Sequence, residues 1–210
     1  MLRWTMLALL PLLLFAAAPA QEKKGQLFQS DYLPLKVGNR WIYKAGKEKV
    51  TVEVERQETI KRKVKTQDDF RYELIEAFRL KITAGDKTLH EHVVVAEDGI
   101  YRVSAAGKEI QPPLRLLKLP PMADDSWLID SVTENIVLKG RFATLGDKVS
   151  VPAYPEGVAA VLSSCDDFQI GSQRMSARYW FVPKVGIVKQ EVKAGTSDVS
   201  MELERFEPAK

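Results

Sequence analysis

The sequence predicts a mainly β fold: a strongly curved antiparallel meander sheet, a half-barrel or open barrel, with one long proline-rich loop. Three observations lead there. Apolar residues recur with period two rather than 3.6, as where Val50, Val52 and Val54 alternate with Thr51, Glu53 and Glu55, the pattern of a half-buried strand. The apolar runs are separated by short glycine-bearing turns, Lys44-Ala45-Gly46-Lys47, Ala84-Gly85-Asp86-Lys87, Glu97-Asp98-Gly99, Ala106-Gly107-Lys108, Gly171-Ser172 and Ala194-Gly195-Thr196. Connections this short join antiparallel neighbours and leave no room for a helical crossover. Finally, paired prolines at 112–113 and 120–121 interrupt the alternation only once, over Gln111 to Asp125.

Taken in order, residues 1–20 read as a secretory signal peptide. Arg3 is the only charge before Glu22, an apolar stretch runs from Leu7 to Ala18, and Ala18-Pro19-Ala20 supplies small residues for cleavage. The run is too short for a membrane anchor and contains Pro11, against the ~20 apolar residues that span a bilayer. No cysteine near the cut offers a thiol for lipid attachment. Residues 21–30 read as a flexible mature N-terminus, and 31–210 as a single β-rich domain. The whole chain carries a formal net charge of +3 with 45% apolar and 28% charged residues. That balance allows an ordinary core and gives no reason to expect nucleic acid as a partner.

Strands are expected from Trp41 onward. Phe70, Tyr72 and Leu74, then Phe78, Leu80 and Ile82, read as one long strand, with an interruption at Glu76 that suggests a bulge or bend. Further strands are expected at 88–96, 99–104, 134–144, 157–170, 174–182, 186–193 and 199–206. The proline-rich section reads as an ordered loop with a short turn of helix at Leu114 to Lys118, because paired prolines exclude a continuous helix or central strand. Two runs, Val93-Val94-Val95 and Tyr179-Trp180-Phe181-Val182, are apolar on both faces. Either another segment covers the second face, or the sheet curls around an apolar interior able to hold a ligand.

No constellation specifies a reaction. His90 and His92 share one strand face at i, i+2 spacing, with Glu91 on the other. Two imidazoles without a third ligand fall short of a zinc site, so no metal is expected. Asp124-Asp125 and Asp166-Asp167 are adjacent carboxylates that point apart in a strand, so neither doublet forms a facing dyad. They read instead as turn or strand-end residues. Cys165 is the only cysteine, which rules out an internal disulfide and favours a buried, hydrophobic role. Neither a nucleophile elbow nor a phosphate-cradling glycine loop occurs. The charged stretch from Lys44 to Lys65 mixes signs and reads as the solvated face of a sheet, with lysines that discourage edge pairing.

The segment from Tyr32 through Pro34-Leu35, Gly38-Asn39, Trp41 and Tyr43 resembles the start of a widespread set of uncharacterised exported bacterial proteins with a Y-x-P-L-x-x-G-N-x-W-x-Y opening. Leu119-Pro120, Asp125-Ser126-Trp127, the turn around 151–158, and Phe181-Val182-Pro183-Lys184-Val185-Gly186-Ile187-Val188-Lys189 extend the likeness. The resemblance implies a strongly curved antiparallel sheet, broadly similar to the half-barrels of periplasmic lipoprotein carriers, and implies no activity. From the residues themselves, Gly38-Asn39 is expected to form a turn that sets Trp41 and Tyr43 on one strand face as core anchors.

The expectation is therefore an exported, non-enzymatic binding or carrier domain of the periplasm or cell exterior for an apolar or lipid-like ligand. It needs no catalytic residues and no cofactor. The alternative is a structural or protein-interaction module of the cell envelope. In either case the mature chain is not expected to span a membrane.

Overall fold

Period-two sequences joined by tight turns can place each strand only beside the one before it. The computed structural model describes residues 28–65, 69–195 and 197–210; the expected signal peptide at 1–20 lies outside the described residues. Among the described residues twelve strands follow in order: β1 (Arg40–Ala45), β2 (Glu48–Lys65), β3 (Phe70–Ala84), β4 (Lys87–Ala96), β5 (Gly99–Ala105), β6 (Lys108–Lys118), β7 (Ser126–Thr133), β8 (Ile136–Val151), β9 (Tyr154–Ile170), β10 (Gln173–Val182), β11 (Gly186–Ala194) and β12 (Ser197–Glu207). Each pairs antiparallel with its predecessor, and β12 returns to pair with β1 from Arg40↔Glu207 to Lys44↔Glu202. The expected half-barrel or open barrel is therefore corrected to a closed one. Closure leaves neither terminal strand with a free edge, which removes a template for aggregation.

The proline-rich loop is corrected as well. Strand β6 runs straight through Pro112-Pro113, and the helical turn expected at Leu114 to Lys118 is strand, with Leu114 opposite Arg102 and Leu117 opposite Ile100. The prolines fit because no ladder needs their missing N–H. Pairing with β5 breaks between Arg102 and Ser104, and pairing with β7 stops at Gln111↔Val132. Only the turn at 119–125 remains irregular. The bulge expected at Glu76 also lies elsewhere. β3 pairs in unbroken register from Phe70 to Arg79, and the extra residue is Glu55 on β2, between Val54↔Leu80 and Arg56↔Arg79.

Two hairpins are longer than the wall they belong to. β2 pairs with β1 only to Glu53, and β4 pairs with β3 only from Phe78, so the distal parts of β2 and β3 form a two-stranded arm. The arm crosses the outer side of β4 to β6, where Arg62 donates to Gln111 Oε1 at 2.8 Å and Gln111 Nε2 donates to Lys63 O. It shares a cleft with Val94, Val103 and Pro113. The far halves of β8 and β9 form a second ribbon, from which Asp147 accepts the Trp180 indole N–H at 2.7 Å and the Ala153 amide donates to Leu203 O at 2.9 Å. These ribbons supply the second-face cover that Val94 and Trp180 require.

The segment before β1 holds the barrel shut at one end. Leu33 and Leu35 are buried, and a fully buried leucine contributes about 1.5–3 kcal/mol. Asn39 is buried too; its Nδ2 donates to Pro34 O at 2.7 Å and its Oδ1 accepts the Ala209 amide at 2.8 Å. Trp41 Nε1 donates to Val185 O and Tyr43 Oη to Ile187 O. The Tyr32 to Tyr43 motif thus ties the segment before β1 to the β10–β11 turn and to the segment after β12.

Candidate functional site

An alternating strand sends every second side chain into the lumen, and most of those here are apolar. They do not fill it. Among the described residues, one cavity of about 200 Å³ is lined by Trp41, Tyr43, Leu80, Val93 and Met201, and another of about 300 Å³ by Leu138, Phe168, Met175, Ala177 and Val192. Phe142 packs between ring neighbours Trp127, Phe168 and Tyr179, which gives the second cavity a rigid aromatic side.

Arg102 and Gln190 line both cavities, Glu91 the first and Tyr179 the second. Together they form a polar bar across the barrel, from β4 and β5 to β10 and β11. Arg102 Nε stands 2.9 Å from Glu91 Oε2, and the guanidinium engages the Tyr179 side chain. Burial pulls the Arg102 pKa down, but the Glu91 carboxylate and Tyr179 outweigh it and hold it above its ordinary value. The bar is therefore a charged but internally neutral pair in an apolar interior. Such pairs are costly to desolvate and contribute little to stability by themselves.

A bulge follows Arg102 on β5. Val103 is the extra residue of β5 against β4, where His92 pairs with Ser104 and Val93 with Arg102; against β6 the surplus lies on the other strand, since Arg102 pairs with Leu114 and Ser104 with Glu109, leaving Ile110 to Pro113 opposite Val103. The bulge lets both Arg102 and Ala105 line the lumen while Ser104 turns outward toward His92. The bar residues are absent from the sequence-level candidates. The one available signal was that Glu91 and Arg102 occupy positions in phase with Val93, Val95 and Ile100, which alternation assigns to the core.

The histidines stand on the outer side, opposite Glu91, as strand geometry requires. His92 Nε2 is 2.7 Å from Glu58 Oε1 and its Nδ1 2.7 Å from Ser104 Oγ. His90 Nε2 is 3.7 Å from Glu55 Oε2. The two imidazoles thus meet different carboxylates of the arm. Among the described residues no group of three or more His, Cys, Asp or Glu side chains is placed to hold a metal. Ser104, His92 and Glu58 have the composition of a hydrolytic triad, but the Ser104 oxygen is buried and accepts the His92 amide. The array fastens the arm to the wall.

The aspartate doublets do not converge on one another. Asp125 pairs with Lys118 at 2.7 Å, Asp166 with Arg178 at 2.9 Å and Asp167 with Arg174 at 2.8 Å. Asp124 does shape a turn, at φ 66°. Asp166 and Asp167 lie within β9 rather than at its end, at the point where its register with β10 shifts. Cys165 is buried, and desolvation pushes its thiol pKa up. The charged stretch of β2 is largely wet, with Arg40–Glu53 and Arg79–Glu55 among its ion pairs. Arg62 is buried where the arm meets β6.

No protein-family model matches the chain, and no curated protein sequence does. Two solved structures share the fold. One is a candidate lipoprotein from Parabacteroides distasonis, 10% identical, aligned over 86% of this chain and 100% of its own, with a TM-score of 0.52. The other is a candidate exported protein with a YmcC-like fold from Bacteroides fragilis, 12% identical, aligned over 85% and 100%, with a TM-score of 0.51. Among the described residues no helix is long and apolar enough to cross a membrane.

Proposed function

We propose that the protein is an exported, non-enzymatic carrier that holds an apolar or lipid-like molecule inside its barrel. The observation behind this reading is the pair of apolar cavities flanking a polar bar. A wall built only for stability would bring interior side chains to crystal-like density, and empty apolar volume costs stability. Pockets of a few hundred Å³ with a small number of fixed polar groups are typical of small-molecule sites. Export is supported by the leader-like residues 1–20 and by the descriptions of the two structural neighbours as a candidate lipoprotein and a candidate exported protein.

The test is direct. Protein purified without detergent is extracted with organic solvent and analysed by mass spectrometry, and the stripped protein is titrated with an apolar fluorescent naphthylamine. A stoichiometric lipid-like species and saturable probe uptake are expected. Val192→Trp, which fills the larger cavity, should weaken probe uptake while the circular dichroism spectrum stays unchanged. An empty extract together with no uptake would end the carrier reading.

A second reading, an interaction module of the cell envelope, is favoured by the exposed Leu128 and Val132, which share the outer face of β7, with Val137 of β8 directly opposite Val132. Exposed apolar groups on one sheet face mark docking surfaces. Cross-linking in cells that traps a protein partner through Leu128 would support it.

A further inference from the structure

The ligand's polar chemistry is written in the bar. Arg102 and Gln190 border both cavities, so a molecule occupying both passes directly over them. Arg102 offers five N–H donors, and its buried Nε makes no hydrogen bond although it stands 2.9 Å from Glu91 Oε2. Its charge, however, is already matched by Glu91 at 2.9 Å. A ligand carboxylate seated there would become a second negative charge beside Glu91, away from water, and two carboxylates sharing one site disfavour each other's ionisation strongly. An uncharged acceptor meets no such penalty and satisfies donors that the bar leaves over. Gln190 can add one more donor or acceptor.

The apolar volumes lie on both sides of the bar rather than beyond one end of it. A free fatty acid carries its polar group at a terminus and would fill one side only. A molecule with an uncharged hydrogen-bonding group in its middle and hydrocarbon on each side fits the whole interior.

Resting on the carrier reading, we propose that the barrel selects a neutral lipid whose ester or amide linkage sits on Arg102 and Gln190, with one hydrocarbon arm in each cavity. The Arg102–Glu91 pair then acts as a filter that accepts an uncharged linkage and turns away a free acid.

The experiment is displacement of the bound naphthylamine probe at pH 7.5 by three compounds of matched length delivered from cyclodextrin: octyl octanoate, palmitate and hexadecane. The ester should displace the probe at a concentration at least tenfold lower than either of the others. Glu91→Gln, which leaves Arg102 unmatched, should improve palmitate at least tenfold and erase the ester's advantage over it. Gln190→Leu, which keeps the bar's charge pair, should shrink the ester's advantage over hexadecane at least threefold. Palmitate competing as well as the ester in the wild type would overturn the proposal while leaving the carrier reading standing. Probe binding with no discrimination among the three compounds would do the same. Absence of any probe binding would remove the carrier reading itself.

Discussion

At the scale of single residues, Gly140 shows how little slack the aromatic side of the barrel has. A methyl group on its Cα would stand 2.7 Å from Cys165 Sγ and 3.0 Å from a Phe168 ring carbon. Gly140→Ala should therefore cost about 1–3 kcal/mol in urea unfolding, the usual range for overpacking. In a Cys165→Ala background the cost should shrink but persist, since Phe168 remains. Equal costs in both backgrounds would place the sulfur elsewhere. Burial raises the Cys165 thiol pKa, so a thiol reagent at pH 8 should label the native protein only at the rate of unfolding. The roles of Trp41 and Tyr43 were legible in the sequence, because large aromatics two apart after Gly-Asn can only be strand anchors. Arg102 was not. Alternation from Ile100 turns it inward, but its partners Glu91 and Tyr179 are brought to it by strand order and register, which local composition does not show.

At the scale of elements, the arm of β2 and β3 is held by a few polar contacts and should respond to acid. The His92 hydrogen bond is the main cause lowering the Glu58 pKa, with Arg56 helping and partial burial opposing. A carboxyl whose folded pKa lies below its unfolded value stabilises the fold fully above the unfolded value. That contribution is lost as pH falls through the folded one. The unfolded value is about 4.3, so Glu58→Gln should lower the urea midpoint at pH 7 and progressively less below about pH 4. A deficit that stays constant down to pH 3 would show that the carboxylate's charge is not what matters. The arm itself was only half legible. Alternation identified β2 and β3 as long strands, but nothing local says where their neighbours stop pairing. Likewise β6 was hidden by its prolines, which are poor strand formers unless the adjacent ladders are already broken, a property of β5 and β7 rather than of β6.

At the scale of the whole molecule, closure makes the wall continuous but not uniform. The curved meander could be read from turn lengths alone, whereas closure could not, because it depends on β12 meeting β1 across almost the whole described chain. The weak point of the ring is the junction of β6 and β7, where only Ile110↔Thr133 and Gln111↔Val132 are aligned. Beyond them the strands separate, with Trp127 Nε1 reaching Arg115 O at 3.1 Å and Ser163 Oγ reaching Leu116 O at 2.7 Å. Side chains thus cap carbonyls that a regular ladder would have paired, as buried backbone groups require. On an antiparallel strand alternate amides face opposite neighbours, so between Trp127 and Ser131 every second N–H faces β6 and the rest face β8. Native-state hydrogen exchange should separate the two sets, the β6-facing amides exchanging at least tenfold faster. Trp127→Phe, which removes the indole donor to Arg115 O, should speed exchange at Arg115 to Leu117 more than along β8. Equal protection of both sets along β7 would mean that the ring has no seam and opens only by global unfolding.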